Sequence, residues 1–267
     1  MSEHDFVWDA VQRVRTGGPL VHNITNYVVM NNTANALLAA GASPIMAHAR
    51  EEVEELAGLV SALVLNIGTL SLPWIEAMFV AGNVAAQRGV PIVVDPVGAG
   101  ASVLRTETSI KLLAELKPSI LRGNASEILA VAGAKGATKG VDSTHKASDA
   151  ADAARAIATQ YGCTVVVSGV EDFVTDGKRE ALIFGGHDIM PKVTGMGCTA
   201  SAIVGAHAAV ADYPFEGAVA GMAVMAVAGT IAARKAKGPG SFQVNFIDAL
   251  YGMQPLDVEA GVKVEWK

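Results

Sequence analysis

The chain has 267 residues, 51% of them hydrophobic and only 5% aromatic, and a formal net charge of −6. That length suits one large α/β domain, 1–267, with a sizeable core of small aliphatic side chains. The acidic balance, with no Lys/Arg stripe anywhere, argues against non-specific nucleic-acid binding.

Two cysteines, Cys163 and Cys198, give no disulfide framework, and a reducing, cytoplasmic compartment is expected. The opening segment MSEHDFVWDAVQRVR lacks the apolar run and cleavage site of a signal peptide. Its Phe6, Val7, Val11 and Val14 repeat on one face of a helix over 5–15. A strand over 20–24 leaves through Thr25, Asn26 and Tyr27 into a helix over 29–40, with Gly41 as its C-cap. Asn31, Asn32, Thr33 and Asn35 crowd its first turns. Capping accounts for one or two of them, and the rest point to a wet, functional or subunit-facing surface. A strand over 43–46 ends in Met46, a charged surface helix covers 51–59, and a strand over 62–67 closes at Gly68. Ser71 caps the next helix, with Pro73 in its first turn and Gly89 at its end.

Pro91, Ile92, Val93 and Val94 make the clearest buried strand, which ends in Asp95 before the loop Pro96-Val97-Gly98-Ala99-Gly100-Ala101. Asp95 either caps that loop or serves a ligand, because open α/β sheets bind at the carboxyl ends of their strands. A helix over 107–116 and a short strand over 119–121 run into Arg122, Gly123, Asn124, Ala125, Ser126 and Glu127, which open another helix. Asn124 and Glu127 match a capping box, the structural alternative to a functional role for that carboxylate. Residues 132–145 are Gly/Lys-rich and read as an exposed loop, followed by a helix over 149–161. A strand over 164–167 ends at Ser168 and Gly169, and segments 171–175 and 180–184 alternate about Asp176-Gly177-Lys178 as a hairpin.

The sharpest signal is Thr194-Gly195-Met196-Gly197-Cys198-Thr199, a glycine turn that opens an Ala/Val-rich helix over 199–211. Gly195, Met196 and Gly197 turn backbone N–H groups and the positive helix end towards whatever lies above, an anion cradle with Cys198 inside it. A Gly-x-Gly turn alone usually caps a helix; here other punctuated strand ends lie upstream. A helix over 215–235 follows. His207, Asp212, Pro214 and Glu216 interrupt the apolar runs, so these read as buried helices and no membrane span is expected. A helix over 242–250 and a mixed, weakly specified tail end the chain. The alternation predicts a three-layer α/β/α architecture on a mostly parallel sheet.

An arginine, dispersed carboxylates and a glycine-lined helix start suit a triphosphate with its divalent ion. Walker A, the dinucleotide fingerprint after the first strand, zinc-ligand spacings and Gly-x-Ser-x-Gly are all missing from the sequence.

Val21-His22-Asn23-Ile24-Thr25-Asn26, Asn31-Asn32-Thr33-Ala34-Asn35 and Gly41-Ala42-Ser43-Pro44-Ile45-Met46 together resemble the N-terminal signature of the hydroxyethylthiazole kinase family. Asp95-Pro96-Val97-Gly98-Ala99-Gly100, Arg122-Gly123-Asn124-Ala125-Ser126-Glu127-Ile128, the segment from Gly169 and Asp172 to Asp176 and Gly177, and Gly195-Met196-Gly197-Cys198 extend the resemblance to about residue 202. It implies a ribokinase-like fold without a lid domain, and phosphorylation of 4-methyl-5-(2-hydroxyethyl)thiazole by ATP with Mg²⁺ for thiamin salvage. It also implies a homotrimer with its active sites at subunit interfaces. Carried onto this chain, Met46, Gly195 and Asn26 match the substrate side, Arg122 and Ser168 the ATP side, and Glu127 and Asp95 the metal. Cys198 stands where the wider superfamily has its catalytic Asp. A helix N-terminus can lower a thiol's pKa and fit it for base or positioning work. Pyrimidine or pyridoxal kinases of the same superfamily, a nucleotide-dependent hydratase on this fold, and a nucleotide-binding scaffold remain the alternatives.

Overall fold

Short apolar runs closed by polar or glycine residues form strands, and the stretches between them form helices, in a computed structural model that describes residues 2–133 and 145–267. Helix α1 (Glu3–Gly17) leads through β1 (Leu20–Ile24), α2 (Met30–Ala40), β2 (Ser43–Ile45), α3 (Val53–Ala57), β3 (Ala62–Asn66) and α4 (Leu72–Gln87) to β4 (Ile92–Asp95). Then come α5 (Val103–Leu116), β5 (Ile120–Asn124), α6 (Ala125–Val131), α7 (His145–Tyr161) and β6 (Thr164–Ser168). The hairpin β7 (Glu171–Thr175) and β8 (Glu180–Gly185) precedes α8 (Met196–Ala208), α9 (Pro214–Lys235), α10 (Pro239–Gly252), α11 (Pro255–Gly261) and β9 (Val262–Trp266). The loop expected over 132–145 lies, apart from its ends, outside the described residues.

The strands form one sheet in the order β2-β1-β3-β4-β5-β6-β7-β8-β9. The pairings from β2 through to β6 are parallel, and the three involving β7, β8 and β9 are antiparallel. Strand residues alternate between two cores, as the pleat requires. Val64, Val93 and Val166 face α8 and α9, while Leu63, Leu65, Ile92, Val94 and Val165 face the layer that includes α4 and α5. This is the expected three-layer α/β/α arrangement, and no second sheet covers the strand ends among the described residues.

Several boundaries differ from the sequence reading, among them the earlier starts of α7, α8 and α10 and the shorter α3, and three differences have a plain physical cause. Strand β5 runs on to Asn124, because Arg122 and Asn124 stay paired with Val166 and Ser168 of β6. Helix α5 starts at Val103, since Ser102 Oγ accepts the N–H of Arg105 and caps it early. The tail is ordered: Val262 and Val264 are buried where β9 pairs with β8, a long-range contact that its short alternation did not announce.

Helix α9 has the length and hydropathy of a membrane span, yet 83% of its most apolar window is buried within the fold. It lies against α8 and α10, and its glycines permit the contact. A Cβ on Gly221 would sit 2.7 Å from Val204 Cα, a backbone atom that cannot swing aside. Gly221→Ala is therefore expected to cost about 1–3 kcal/mol by overpacking, read as a lower urea midpoint at unchanged slope.

Candidate active site

The parallel strands bring their carboxyl ends to one edge, and the polar residues that close them gather there. Asn26 follows β1, Asn66 and Asp95 end β3 and β4 in register with each other, and Asn124 and Ser168 pair at the ends of β5 and β6. The N-terminus of α8 joins this edge. Gly195 is its N-cap with φ +83°, so a residue with a side chain is strained there. Met196, Gly197 and Cys198 form the first turn, whose N–H groups have no intrahelical partner.

Arg122 is 7% exposed and reaches this turn from β5. Its Nη2 donates to Ser168 Oγ, its Nε has no partner, and no carboxylate lies within ion-pair distance of it among the described residues. A Cβ on Gly197 would fall 2.9 Å from Arg122 Nη1, so glycine is what lets the guanidinium lie against the helix start. A buried cation with no carboxylate at ion-pair distance, drawn only at longer range to Asp95 and Asp172, is costly beside free backbone donors unless an anion completes it. Arg122, Ser168 and Gly197 line one end of a cavity of about 620 Å³ whose other walls include Met190, Pro191, Met222, Met225 and Ala226. Asp172 also lines it. Burial pushes its carboxyl up to about 6, against the N–H it accepts from Gly169.

Cys198 sits half-buried at the α8 end, with Asn26 Nδ2 donating to its Sγ at 3.3 Å. Asn66 Nδ2 and Ser201 Oγ both donate to Asp95 Oδ2, at 2.7 and 2.8 Å. Burial, and then the Asp95 charge, push the Cys198 thiol up to about 11, opposed by the Asn66 and Asn26 hydrogen bonds. The lowering expected from the helix end is thus outweighed by desolvation, and the thiol keeps its proton at neutral pH.

Asp95 itself is 1% exposed, and burial pushes its carboxyl up to about 6, against the nearby Arg122 charge. Between its unfolded value of 3.8 and about 6 the folded protein holds a proton that the unfolded chain has released, so this group makes stability fall as pH rises through that window. Asp95→Asn abolishes the titration. It is expected to be more stable than wild type at pH 7.5 by on the order of 1–3 kcal/mol, with the gain gone near pH 4, in urea unfolding at the two pH values.

Glu127 behaves as the capping box foretold. Its Oε2 accepts the Asn124 N–H at 2.9 Å, and Asn124 Oδ1 accepts the Glu127 N–H at 3.0 Å. Its Oε1 also accepts the Gly98 N–H at 2.8 Å, tying the β4 loop to α6. Each oxygen keeps a lone pair. Glu127 therefore fits a Mg²⁺ ion through water, as such ions are usually held beside phosphates. Asp95, also expected beside the metal, takes both donors on Oδ2, which leaves Oδ1 without a side-chain partner. No cluster of three or more acidic, His or Cys side chains forms a protein cage for a metal among the described residues.

Other expected positions are spread out. Met46 directly follows the edge strand β2 and does not line the cavity. In the Asn strip, Asn35 bonds Asn31 on an exposed face and Asn32 accepts from Gln243 of α10. Asn66 and Ser201 were missed. A polar residue closing an apolar strand, as at Asp95, marks Asn66 in the sequence, whereas Ser201 is one small residue in a helix of small residues.

The architecture is a ribokinase-like fold. The pyridoxal kinase from Staphylococcus aureus in complex with ADP shares the fold at a TM-score of 0.64 and 17% identity, over 93% of this chain and 99% of that one. The chain belongs to the hydroxyethylthiazole kinase family, whose model matches residues 11–255. It is 75% identical over 264 residues to the hydroxyethylthiazole kinase of Oleidesulfovibrio alaskensis, covering 99% of each. The hydroxyethylthiazole kinase protein from Pyrococcus horikoshii OT3 superposes at a TM-score of 0.91 with 41% identity, over 98% of this chain and 99% of the other.

Proposed function

We propose that this protein transfers the γ-phosphoryl group of ATP to the primary hydroxyl of 4-methyl-5-(2-hydroxyethyl)thiazole, giving its monophosphate for thiamin salvage in the cytoplasm. The observation that carries the reading is Arg122: a buried guanidinium without a carboxylate partner, laid against the glycine turn of α8. The apolar end of the cavity, with Met190, Pro191, Met222 and Met225, suits a purine, and Arg122 with Ser168 suits its phosphates.

In this reading the amides of 195–198 stabilise charge on the transferring group, the main demand of a loose phosphoryl-transfer transition state. Bound Mg²⁺ would neutralise phosphate charge, with Glu127 holding its water shell. Cys198, as a neutral thiol, orients the alcohol and is no standing base. The alcohol proton leaves late, when the new P–O bond has made it acidic, and passes to an oxygen of the transferred phosphate. Asn26 and Met46 lie on the acceptor side. Exposed Tyr27 and Leu72 beside the Tyr27–Trp74–His48 aromatic cluster support a neighbouring subunit closing that side in a homotrimer.

The test is an ATP/Mg²⁺ assay offering hydroxyethylthiazole, hydroxymethylpyrimidine and pyridoxal, with product mass read directly. Phosphorylated thiazole at the highest kcat/KM is the expected product. Preferred turnover of either other alcohol overturns the substrate assignment, and ATP hydrolysis without a phosphorylated alcohol overturns the kinase reading.

A further inference from the structure

Asn66 is 1% exposed and does not line the cavity, yet it joins Asn26, an expected substrate-side position, to Asp95. Its Oδ1 accepts from Asn26 Nδ2 at 2.8 Å and from the Gly68 N–H at 3.0 Å, and its Nδ2 donates to Asp95 Oδ2. A backbone N–H can only donate, so Gly68 fixes which end of the Asn66 amide is oxygen. The Val28 N–H, 3.1 Å from Asn26 Oδ1, fixes Asn26 in the same way. The bond from Asn26 to Cys198 Sγ therefore has one direction, with sulfur as acceptor. Packing adds a wall: a Cβ on Gly68 would lie 2.6 Å from Asn26 Nδ2. Ser201, one turn after Cys198 on α8, closes the ring by donating to Asp95.

We propose that Asn66 is a positioning residue for the acceptor hydroxyl. Through the Asn26 amide it sets the hydrogen bond on Cys198 Sγ, and through its own Nδ2 it holds Asp95, so thiol and carboxylate move as one unit. The thiol's own S–H is left for the alcohol. A buried network with every bond directed is rigid, and its members act together. A merely structural asparagine, satisfying itself at a strand end, would owe nothing to Cys198. The inference rests on the reading of Cys198 as the contact of the alcohol.

The experiment is a double-mutant cycle on kcat, with selective ¹⁵N-asparagine labelling to follow the Asn26 side-chain amide. Asn66→Ala removes the bridge; Asn66→Ser keeps a small polar group and serves where the alanine form does not fold. Loss of Asn66 is expected to lower kcat about tenfold or more with KM for ATP within about twofold, and to cost under about twofold in a Cys198→Ala background. The Asn26 side-chain signal should move in the Asn66 variant and in Cys198→Ala alike. An equal kcat loss in both backgrounds, or an Asn26 signal indifferent to Asn66, overturns the proposal. If wild type fails to phosphorylate hydroxyethylthiazole, the functional reading falls, and the labelling result still decides the linkage.

Discussion

Arg122→Ala is expected to lower kcat/KM by about 10³-fold, the scale seen when a preorganised charge donor to a transferring phosphoryl group is removed. The guanidinium has Ser168 as its one side-chain partner among the described residues, so its binding capacity is held in reserve for an anion. The same feature gives the variant a second signature. No carboxylate pairs directly with this buried cation, and Asp95 and Asp172 attract it only from beyond ion-pair distance, so removal of Arg122 should change unfolding stability little while activity collapses. Arg122→Lys keeps the charge but loses the planar fork that also engages Ser168, and an intermediate rate is expected. Steady-state kinetics beside urea unfolding separate these effects. Loss of stability in parallel with activity would mark Arg122 as structural.

Gly195→Ala is expected to be nearly as damaging, for a steric reason. Its φ of +83° disfavours any L side chain, and a Cβ there would stand 2.5 Å from Val29 Cγ1 and 3.2 Å from Val29 Cβ. Val29 is β-branched and 2% exposed, so it has no room to yield. Strain and overpacking together should cost about 2–4 kcal/mol. A shift of the cradle amides by an ångström would lower kcat about 10²-fold. Adding Val29→Ala relieves the contact but not the backbone strain. The double variant should recover part of the stability, measured by urea unfolding, and less of the rate.

Much of this site was legible in the chain because parallel strands place their last residues at one edge. Once 91–95 and 164–167 read as parallel strands, Asp95 and Ser168 fall at one edge of the sheet, two strands apart. The capping pair Asn124 and Glu127 was also readable, since three-residue spacing is local physics. What stayed hidden depends on burial or on distant partners. The thiol of Cys198 rises although helix position argues for lowering, because only the fold shows Asp95 and the apolar core beneath it. Asn66 gains meaning only when β1 and β4 flank β3. The last strand, β9, needs β8 across some eighty residues of sequence to define it.

The most direct measurement is a crystal structure with a non-hydrolysable ATP analogue, Mg²⁺ and hydroxyethylthiazole bound together. The γ-phosphate is predicted on the amides of 195–198 with Arg122 contacting the phosphate chain, the adenine among Met190, Met222 and Met225, and the thiazole hydroxyl in hydrogen-bond reach of Cys198 Sγ. A triphosphate bound elsewhere, or a hydroxyl turned away from Cys198 with the phosphates in place, would contradict the account.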